Sequence, residues 1–600
     1  MTGLMHAISR ALEEAAVIDS CGIRRIIFQI VRPITKPALV TIIVMTFINV
    51  HSKDKERSPM IQNPILPGFN ADPCICRKGD NYYVAVSSME WFPGVPVYHS
   101  TDLKQWTLYT HILTDPQALE VMNLPSAKGI WAPCLTYCEA EDRFYLVYNV
   151  MYSHHARYFD VNNYLISAES LTGPWTKPVY LHSAGFDGSL FHDDDGRKYI
   201  VSMEWETRDG WHKPGCICLC EYDAAKKAII GYPKRIFTGA TKRGCIEGPH
   251  IYKRNGYYYL LCAEGGTGYG HCVTLSRSEC IWGPYEAAPH NPILTSTADF
   301  DEMDNDDFLK RSRYNPGRTL QKAGHGSFVD TPNGEVYMVF HCGRPFLPEL
   351  RCTLGREACI AKMEWTADDW LQKAGADNLA DEYIEELSHI AAQEGAPLAP
   401  DVFSKKTGFP IEYYAQRQSM SNFARKSAEK WVLRGEESLS SLHRVSLLAR
   451  RLTSLNAAFE ATLEQFEPEA YQQYAGICLF YDNQDYILAR KVWCEEEKSI
   501  TLDLLRVKNG VREEIKGTRV RLENAPLSLR LQVSERETTF YWKQTDGSWR
   551  SIGPVFDTSE FSDEYCLAGE FTGTMLGLYC VDAVFHAKEA VFSDVEYEEE

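Results

Sequence analysis

Several familiar chemistries are missing from this chain of 600 residues. None of its 19 cysteines forms a Cys-x-x-Cys pair, the spacing of many structural zinc sites and of thioredoxin-type redox centres. The cysteines are scattered and odd in number, which argues against a disulfide framework and for a reducing, cytoplasmic compartment. Cys216, Cys218 and Cys220 alternate as on one strand face and read as small buried hydrophobes. Gly-x-Ser-x-Gly, His-Glu-x-x-His and Gly-x-x-x-x-Gly-Lys are also absent. With them go the nucleophile elbow, the zinc-protease helix and the phosphate-cradling loop. Positive charge is in deficit, 62 Lys and Arg against 81 Asp and Glu, for a net charge of -19. Such a chain has no field to attract phosphates, so nucleic acid is excluded and a neutral substrate fits better than an anionic polymer.

Long apolar runs are missing too. The longest, Ala38 to Val50, has 13 residues, whereas about 20 are needed to cross a bilayer. An acidic pair, Glu13 and Glu14, precedes it, so no signal peptide is expected and membrane association is not expected either. Homo-oligomer formation stays open.

Aromatic residues, in contrast, are plentiful. They make up 12% of the chain, with 33 Tyr and 13 Trp, a composition that suits sheets and sugar-stacking surfaces alike. Many sit in a repeated pattern, a polar turn followed by an aromatic strand. It occurs as Asp80-Asn-Tyr-Tyr-Val84, Asp142-Arg-Phe-Tyr-Leu146, Gly196-Arg-Lys-Tyr-Ile200, Asn255-Gly-Tyr-Tyr-Tyr259 and Asn333-Gly-Glu-Val-Tyr337. A second short strand precedes each turn: Asp72-Pro-Cys-Ile, Ala132-Pro-Cys-Leu, Asp187-Gly-Ser-Leu, Gly248-Pro-His-Ile and His325-Gly-Ser-Phe. Hairpins repeating at such intervals are propeller blades, and five repeats predict five blades.

A propeller brings the openings of its innermost strands to one end of a central channel. Asp72, Trp131, Asp187, Glu247 and His325 are therefore predicted to converge, with Glu247 one place ahead of the aspartate column. A lone Asp at a strand start is usually a turn or capping residue. Two carboxylates at matching repeat positions, with a third one place ahead, point instead to glycoside cleavage. There one carboxyl protonates the leaving oxygen, another activates water, and a third can raise the acid's pKa by like-charge repulsion. Gly265 to Gly270 is glycine-rich with no helical pattern after it, and reads as a loop at the pocket edge.

At these residues the chain resembles glycoside hydrolase family 43, and within it the β-xylosidase branch. The matching text includes Asn63-Pro-Ile-Leu-Pro-Gly-Phe-Asn-Ala-Asp-Pro73, Glu90-Trp-Phe-Pro-Gly94, Gly129-Ile-Trp-Ala-Pro133 and Phe186-Asp-Gly-Ser-Leu-Phe191. It continues with Glu247-Gly-Pro-His-Ile251, Gln321-Lys-Ala-Gly-His-Gly326 and Leu354-Gly-Arg-Glu357. The resemblance implies an inverting, exo-acting β-1,4-xylosidase acting on xylo-oligosaccharides. Asp72 would be general base, Asp187 the tuning and orienting carboxylate, and Glu247 general acid. Trp131 would pack against the sugar and Arg356 would hydrogen-bond its hydroxyls. No cofactor is required, although some members hold a calcium ion through water at the residue matching His325. Met89 stands where the branch usually has Phe and is expected in the sugar-subsite wall; Ala71 replaces its usual Pro. An α-L-arabinofuranosidase and a non-catalytic carbohydrate-binding protein remain the alternatives.

The boundaries follow from these patterns. Residues 59–366 form the propeller and 367–400 a linker ending in Gly395-Ala-Pro-Leu-Ala-Pro400. Residues 401–600 alternate cleanly, as in Leu527, Leu529, Leu531 and Val533, which predicts an antiparallel β-sandwich. It resembles the lectin-like, concanavalin-type domain of the same branch, which lends an aromatic to the site; Phe571 is the candidate here. Residues 1–58 are a short helical appendage and linker. There Glu14-Ala15-Ala16, Asp19, Pro33 and Pro37 resemble the coupling loop of sugar ABC transporter permeases, with Ser20 where Gly is usual.

Overall fold

The computed structural model describes residues 60–115, 121–155, 158–208, 215–297, 309–385, 404, 407–523, 525–566 and 571–599. The helical, permease-like appendage at 1–58 lies outside the described residues. So does the stretch from 386 to 403 that holds the Pro-rich linker motif.

Blade 1 is built, from the axis outward, of Cys74–Lys78, Asn81–Ala85, Gly94–Ser100 and Thr107–Leu113. Blade 2 has Gly129–Cys138, Arg143–His155, Tyr158–Ala168 and Val179–Tyr180. Blade 3 has Ser189–His192, Lys198–Glu204, Cys216–Asp223 and Ala228–Phe237. Blade 4 has Glu247–Arg254, Tyr257–Glu264, Cys272–Ser278 and Glu286–Ala287, and Leu294–Thr295 also pairs with its third strand. Blade 5 has Gln321–Asp330, Val336–Gly343, Glu357–Trp365 and Leu371–Lys373. All these pairings are antiparallel, as short hairpin loops require. In the blade 4 hairpin Asn255 (φ 47°) and Gly256 (φ 83°) both take left-handed backbone between the paired residues Arg254 and Tyr257. That is the twist a two-residue turn needs.

The five innermost strands touch in cyclic order, each its neighbours, and the fifth returns to the first. Asn63 fastens this closure: its side chain donates to Ile360 O and accepts from Ile360 N, both at 2.8 Å, as a strand neighbour would. Blade 5 also corrects the boundary expected at 366. Leu371–Lys373 pairs with Met363–Trp365 as an outer strand, and Trp370 is buried beneath the Arg277 guanidinium. The turn at 366–369 breaks the repeat in sequence without ending the blade.

The sandwich has two sheets. One, of seven strands, runs Ala424–Ser427, Lys430–Arg434, Glu589–Glu599, Asn456–Gln465, Leu527–Ser534, Glu537–Lys543 and Trp549–Asp557. The other centres on Asp485–Cys494, Gln473–Asp482, Met575–Asp582 and Leu447–Arg451, and reaches Tyr414–Gln416 at one edge. That edge strand pairs with Trp91–Phe92, which comes from the propeller part of the sequence. The predicted alternation holds: Leu527, Leu529, Leu531 and Val533 are buried and the residues between them are not. One apolar cluster contains Trp131, Phe186 and Met203 together with Phe480, Tyr486 and Tyr579, so the two domains share a packed core.

Candidate active site

Equivalent residues of the five blades share an unusual backbone. Asp72, Ala132, Asp187, Gly248 and His325 all have positive φ, between 36° and 54°. Bulges interrupt strand pairing here in blades 2, 4 and 5. Left-handed backbone costs a non-glycine residue about 1–2 kcal/mol, least for Asp and Asn, and such strain is characteristic of functional sites. At this level the bulges re-aim side chains into the channel mouth.

The side chains so aimed line a cavity of ≈ 350 Å³ together with Trp131, His154, Phe159, Phe186, Trp205, Cys245, Gly266, Thr267, Arg356 and Phe571. Asp72, Asp187, Glu247 and His325 complete the lining. The three predicted carboxylates thus meet at one cavity, with Glu247 directed into it from its offset position. Gly266 and Thr267 confirm the glycine-rich loop at the pocket edge.

The carboxyls differ in their surroundings. Asp72 accepts from Arg356 Nη1 at 2.5 Å and from Ser87 Oγ at 2.7 Å, and His341 Nδ1 lies 3.3 Å away. Burial pushes its pKa up, but Arg356, His341 and His325 outweigh it and hold the carboxyl well below 3.8. Asp187 accepts the Gly248 amide at 3.0 Å. Burial raises it to about 6; Asp72 adds to the rise while His325, the amide and Arg356 moderate it. Glu247 rises well above 4.5, first through burial and then through the charges of Asp187 and Asp72. Its Oε1 is buried without a hydrogen-bond partner, 3.7 Å from His271 Nε2. Like charges in one dry pocket cannot all ionise. Asp72 therefore carries the charge and Glu247 keeps its proton.

Trp131 forms the wall, its Nε1 donating to Ala127 O at 2.8 Å and its ring edge-to-face with Phe186 and Phe571 at 5.9 and 5.8 Å. Phe571 enters from the sandwich. Its N–H donates to Asp563 at 2.9 Å and its carbonyl accepts from Arg356 Nη2 at 3.3 Å. Arg356 therefore spends its fork on Asp72 and the Phe571 backbone, leaving its buried Nε unpartnered. Met89 departs from expectation: it does not line the cavity. It is 1% exposed, and its backbone pairing with Ile130 holds its side chain in the apolar cluster behind Trp131.

Sequence reasoning missed His271 and His341. They are fully buried, share a 2.9 Å hydrogen bond, and lie between Glu247 and Asp72. A histidine inside the apolar run Val336 to Cys342 was the available signal for one of them. His154, Phe159 and Trp205 were missed because they occupy no repeat position.

Calcium takes six to eight oxygen ligands. Beside His325 both Asp72 oxygens are already engaged, and the wall below offers Cys74, Cys134 and His250. The thiols and imidazole of that wall are not calcium ligands, whereas Asp72, Asp187 and His325 on the same void would hold such an ion through water.

The family model for "Glycosyl hydrolases family 43" matches residues 61–371, and that for "Beta xylosidase C-terminal Concanavalin A-like domain" matches residues 401–598. The chain belongs to glycosyl hydrolase family 43. Among its relatives, "Xylosidase/arabinosidase 43B" of Humicola insolens is 38% identical, covering 89% of this chain and 97% of that one. "Beta-xylosidase" of Bacillus subtilis (strain 168) is 35% identical over 90% and 99%. A solved structure, a xylan β-1,4-xylosidase from Bacillus halodurans C-125, superposes with a TM-score of 0.80 at 38% identity, covering 90% of this chain and 100% of that one. Among the described residues, no helix is long and apolar enough to cross a membrane.

Proposed function

We propose that this family 43 enzyme is an exo-acting β-1,4-xylosidase that removes xylose from the non-reducing ends of xylo-oligosaccharides by inverting displacement. The observation that carries the reading is the meeting of buried carboxyls in one cavity with unlike surroundings, Asp72 bonded to the Arg356 guanidinium and Glu247 with an oxygen that has no hydrogen-bond partner. Asp72, held anionic by Arg356, suits the base that draws a proton from water. Glu247, kept protonated by burial and by its two acidic neighbours, suits the acid that serves the leaving oxygen. Asp187 acts as the positioning carboxylate that sustains Glu247's proton. His325 and the aromatic walls of Trp131 and Phe571 enclose the sugar, and a mouth closed by the sandwich favours chain ends over internal bonds. The names, a beta-xylosidase for one relative and a xylan β-1,4-xylosidase for the solved structure, agree with this substrate class. The scatter of the cysteines supports a cytoplasmic setting, in which short imported oligosaccharides are the natural substrate.

An NMR time course of xylobiose hydrolysis tests the reading. The expected first product is α-xylose, the inverted anomer of a β-linked substrate. Initial β-xylose, or no turnover, would overturn it. A principal α-L-arabinofuranosidase activity is the second reading, supported by the double name of the Humicola relative. Comparing nitrophenyl xyloside with nitrophenyl arabinofuranoside separates the two.

A further inference from the structure

Beneath the carboxylate ring the repeat supplies a second ring. Two residues after each left-handed position come Cys74, Cys134, Ser189, His250 and Ser327, one from each blade in order. Because the innermost strands circle a common axis, equal positions in the repeat lie at equal depth. The serines turn to the backbone: Ser189 Oγ donates to Pro249 O at 2.6 Å, and Ser327 Oγ accepts from Ile75 N at 2.8 Å. The remaining three converge. The Sγ atoms of Cys74 and Cys134 and a ring nitrogen of His250 all lie within 4.8 Å of one another. Cys134 Sγ is 3.9 Å from His250 Nδ1. These residues line a small void that continues from the carboxylate ring, with Asp72, Asp187 and His325 at its upper rim.

We propose that this ring is a zinc site, with Cys74, Cys134 and His250 as the three protein ligands on the propeller axis. Tetrahedral zinc, with Zn–S about 2.3 Å and Zn–N about 2.0 Å, needs donors roughly 3.3–3.8 Å apart. The Cys134–His250 separation is within a small side-chain adjustment of that. Burial as small hydrophobes accounts for single cysteines. It does not account for two sulfurs and an imidazole, from blades 1, 2 and 4, meeting at one void. The donors are sulfur and nitrogen, which select zinc over calcium. A second group, Glu204 with Cys216 and Cys218, is a poorer candidate, because Arg235 already pairs with Glu204. The proposal is independent of the hydrolytic reading.

The test is cobalt(II) titration of the chelator-stripped full-length enzyme under a phosphine reductant. We expect one equivalent bound, with a thiolate-to-cobalt charge-transfer band and strong tetrahedral d–d absorption, all displaced by zinc and not by calcium. Cys74→Ser and Cys134→Ser should each weaken binding at least tenfold, while Cys216→Ser should match the parent. X-ray absorption of the zinc-loaded parent enzyme needs no variant and should show two sulfur and at least one imidazole nitrogen neighbours. Absence of the band in the parent enzyme, its survival in the Cys74→Ser/Cys134→Ser double variant, or a zinc shell of oxygen alone would overturn the assignment.

Discussion

Lys322 of blade 5 and Glu564 of the sandwich form an ion pair across the domain seam, with side chains only 2% and 1% exposed. Glu564 also accepts the Cys352 amide at 2.8 Å, and its neighbour Asp563 accepts the Phe571 amide. One acidic pair therefore joins the domains and sets the aromatic at the cavity mouth.

Breaking this pair removes the hydrogen-bonded partner of a buried cation and leaves it only the neighbouring Asp563, a loss of up to about 3–5 kcal/mol. Glu564→Gln should lower the melting temperature of the full chain and raise KM as the Phe571 segment loosens. Calorimetry with steady-state kinetics on xylobiose checks both, and an unchanged Tm would refute the role.

Asp72→Ala and Glu247→Ala should each reduce kcat by about 10²–10⁴-fold, the usual contribution of general acid–base groups. Near-UV circular dichroism should match the parent enzyme for Glu247→Ala, whose Oε1 accepts no hydrogen bond, and for Asp72→Asn, which keeps an oxygen facing Arg356 and serves as the control for the lost ion pair in Asp72→Ala. Near-parental turnover in either variant would contradict their assigned roles.

The pH dependence follows from the shifts. Asp72 must be ionised, so the acid limb of kcat/KM should lie below 3.8; Glu247 must be protonated, so the alkaline limb should lie above 4.5. Asp187→Asn removes a charge that raises Glu247, and should move the alkaline limb toward acid. The same change affects stability. A carboxyl whose folded pKa is raised stabilises fully below its unfolded pKa, and that contribution is lost as pH rises through the folded value, about 6 for Asp187. Asp187→Asn should therefore gain Tm relative to the parent at pH 8 and not at pH 4. A pH–rate profile and melting curves at both values decide the point.

Arg356→Lys should shift the acid limb upward, because a point charge cannot hold Asp72 and the Phe571 carbonyl at once. Phe571→Ala removes an edge-to-face partner of Trp131, a contact worth roughly 0.5–1.5 kcal/mol. KM should rise up to about tenfold with kcat nearly unchanged. A fall in kcat alone would assign Phe571 a different role.

The five-fold repeat was legible in the chain because each blade is a local hairpin, written in turn residues and alternating aromatics that neighbours in sequence settle among themselves. The meeting of Asp72 and Asp187 was legible for the same reason, since equal repeat positions must share a level around one axis; Glu247 stands one place ahead of that column, and only the structure showed it directed into the cavity. His271, His341 and Trp205 occupy no such position: His341 lies on a second strand, Trp205 follows one and His271 precedes a third. Of the three, Trp205 lines the cavity while the two histidines sit behind its carboxyls, where direction depends on packing. Met89 shows the converse, a residue next to the right motif whose backbone pairing turns it into the core.

Local pattern thus determined the strands, the blade count and the acidic ring. Only the closed, packed molecule decided which carboxyl is charged and which keeps its proton, because pKa depends on burial and on partners such as Arg356, 284 positions away in sequence from Asp72. The same holds for the placement of Phe571, which contacts Trp131 only once the two domains share a core.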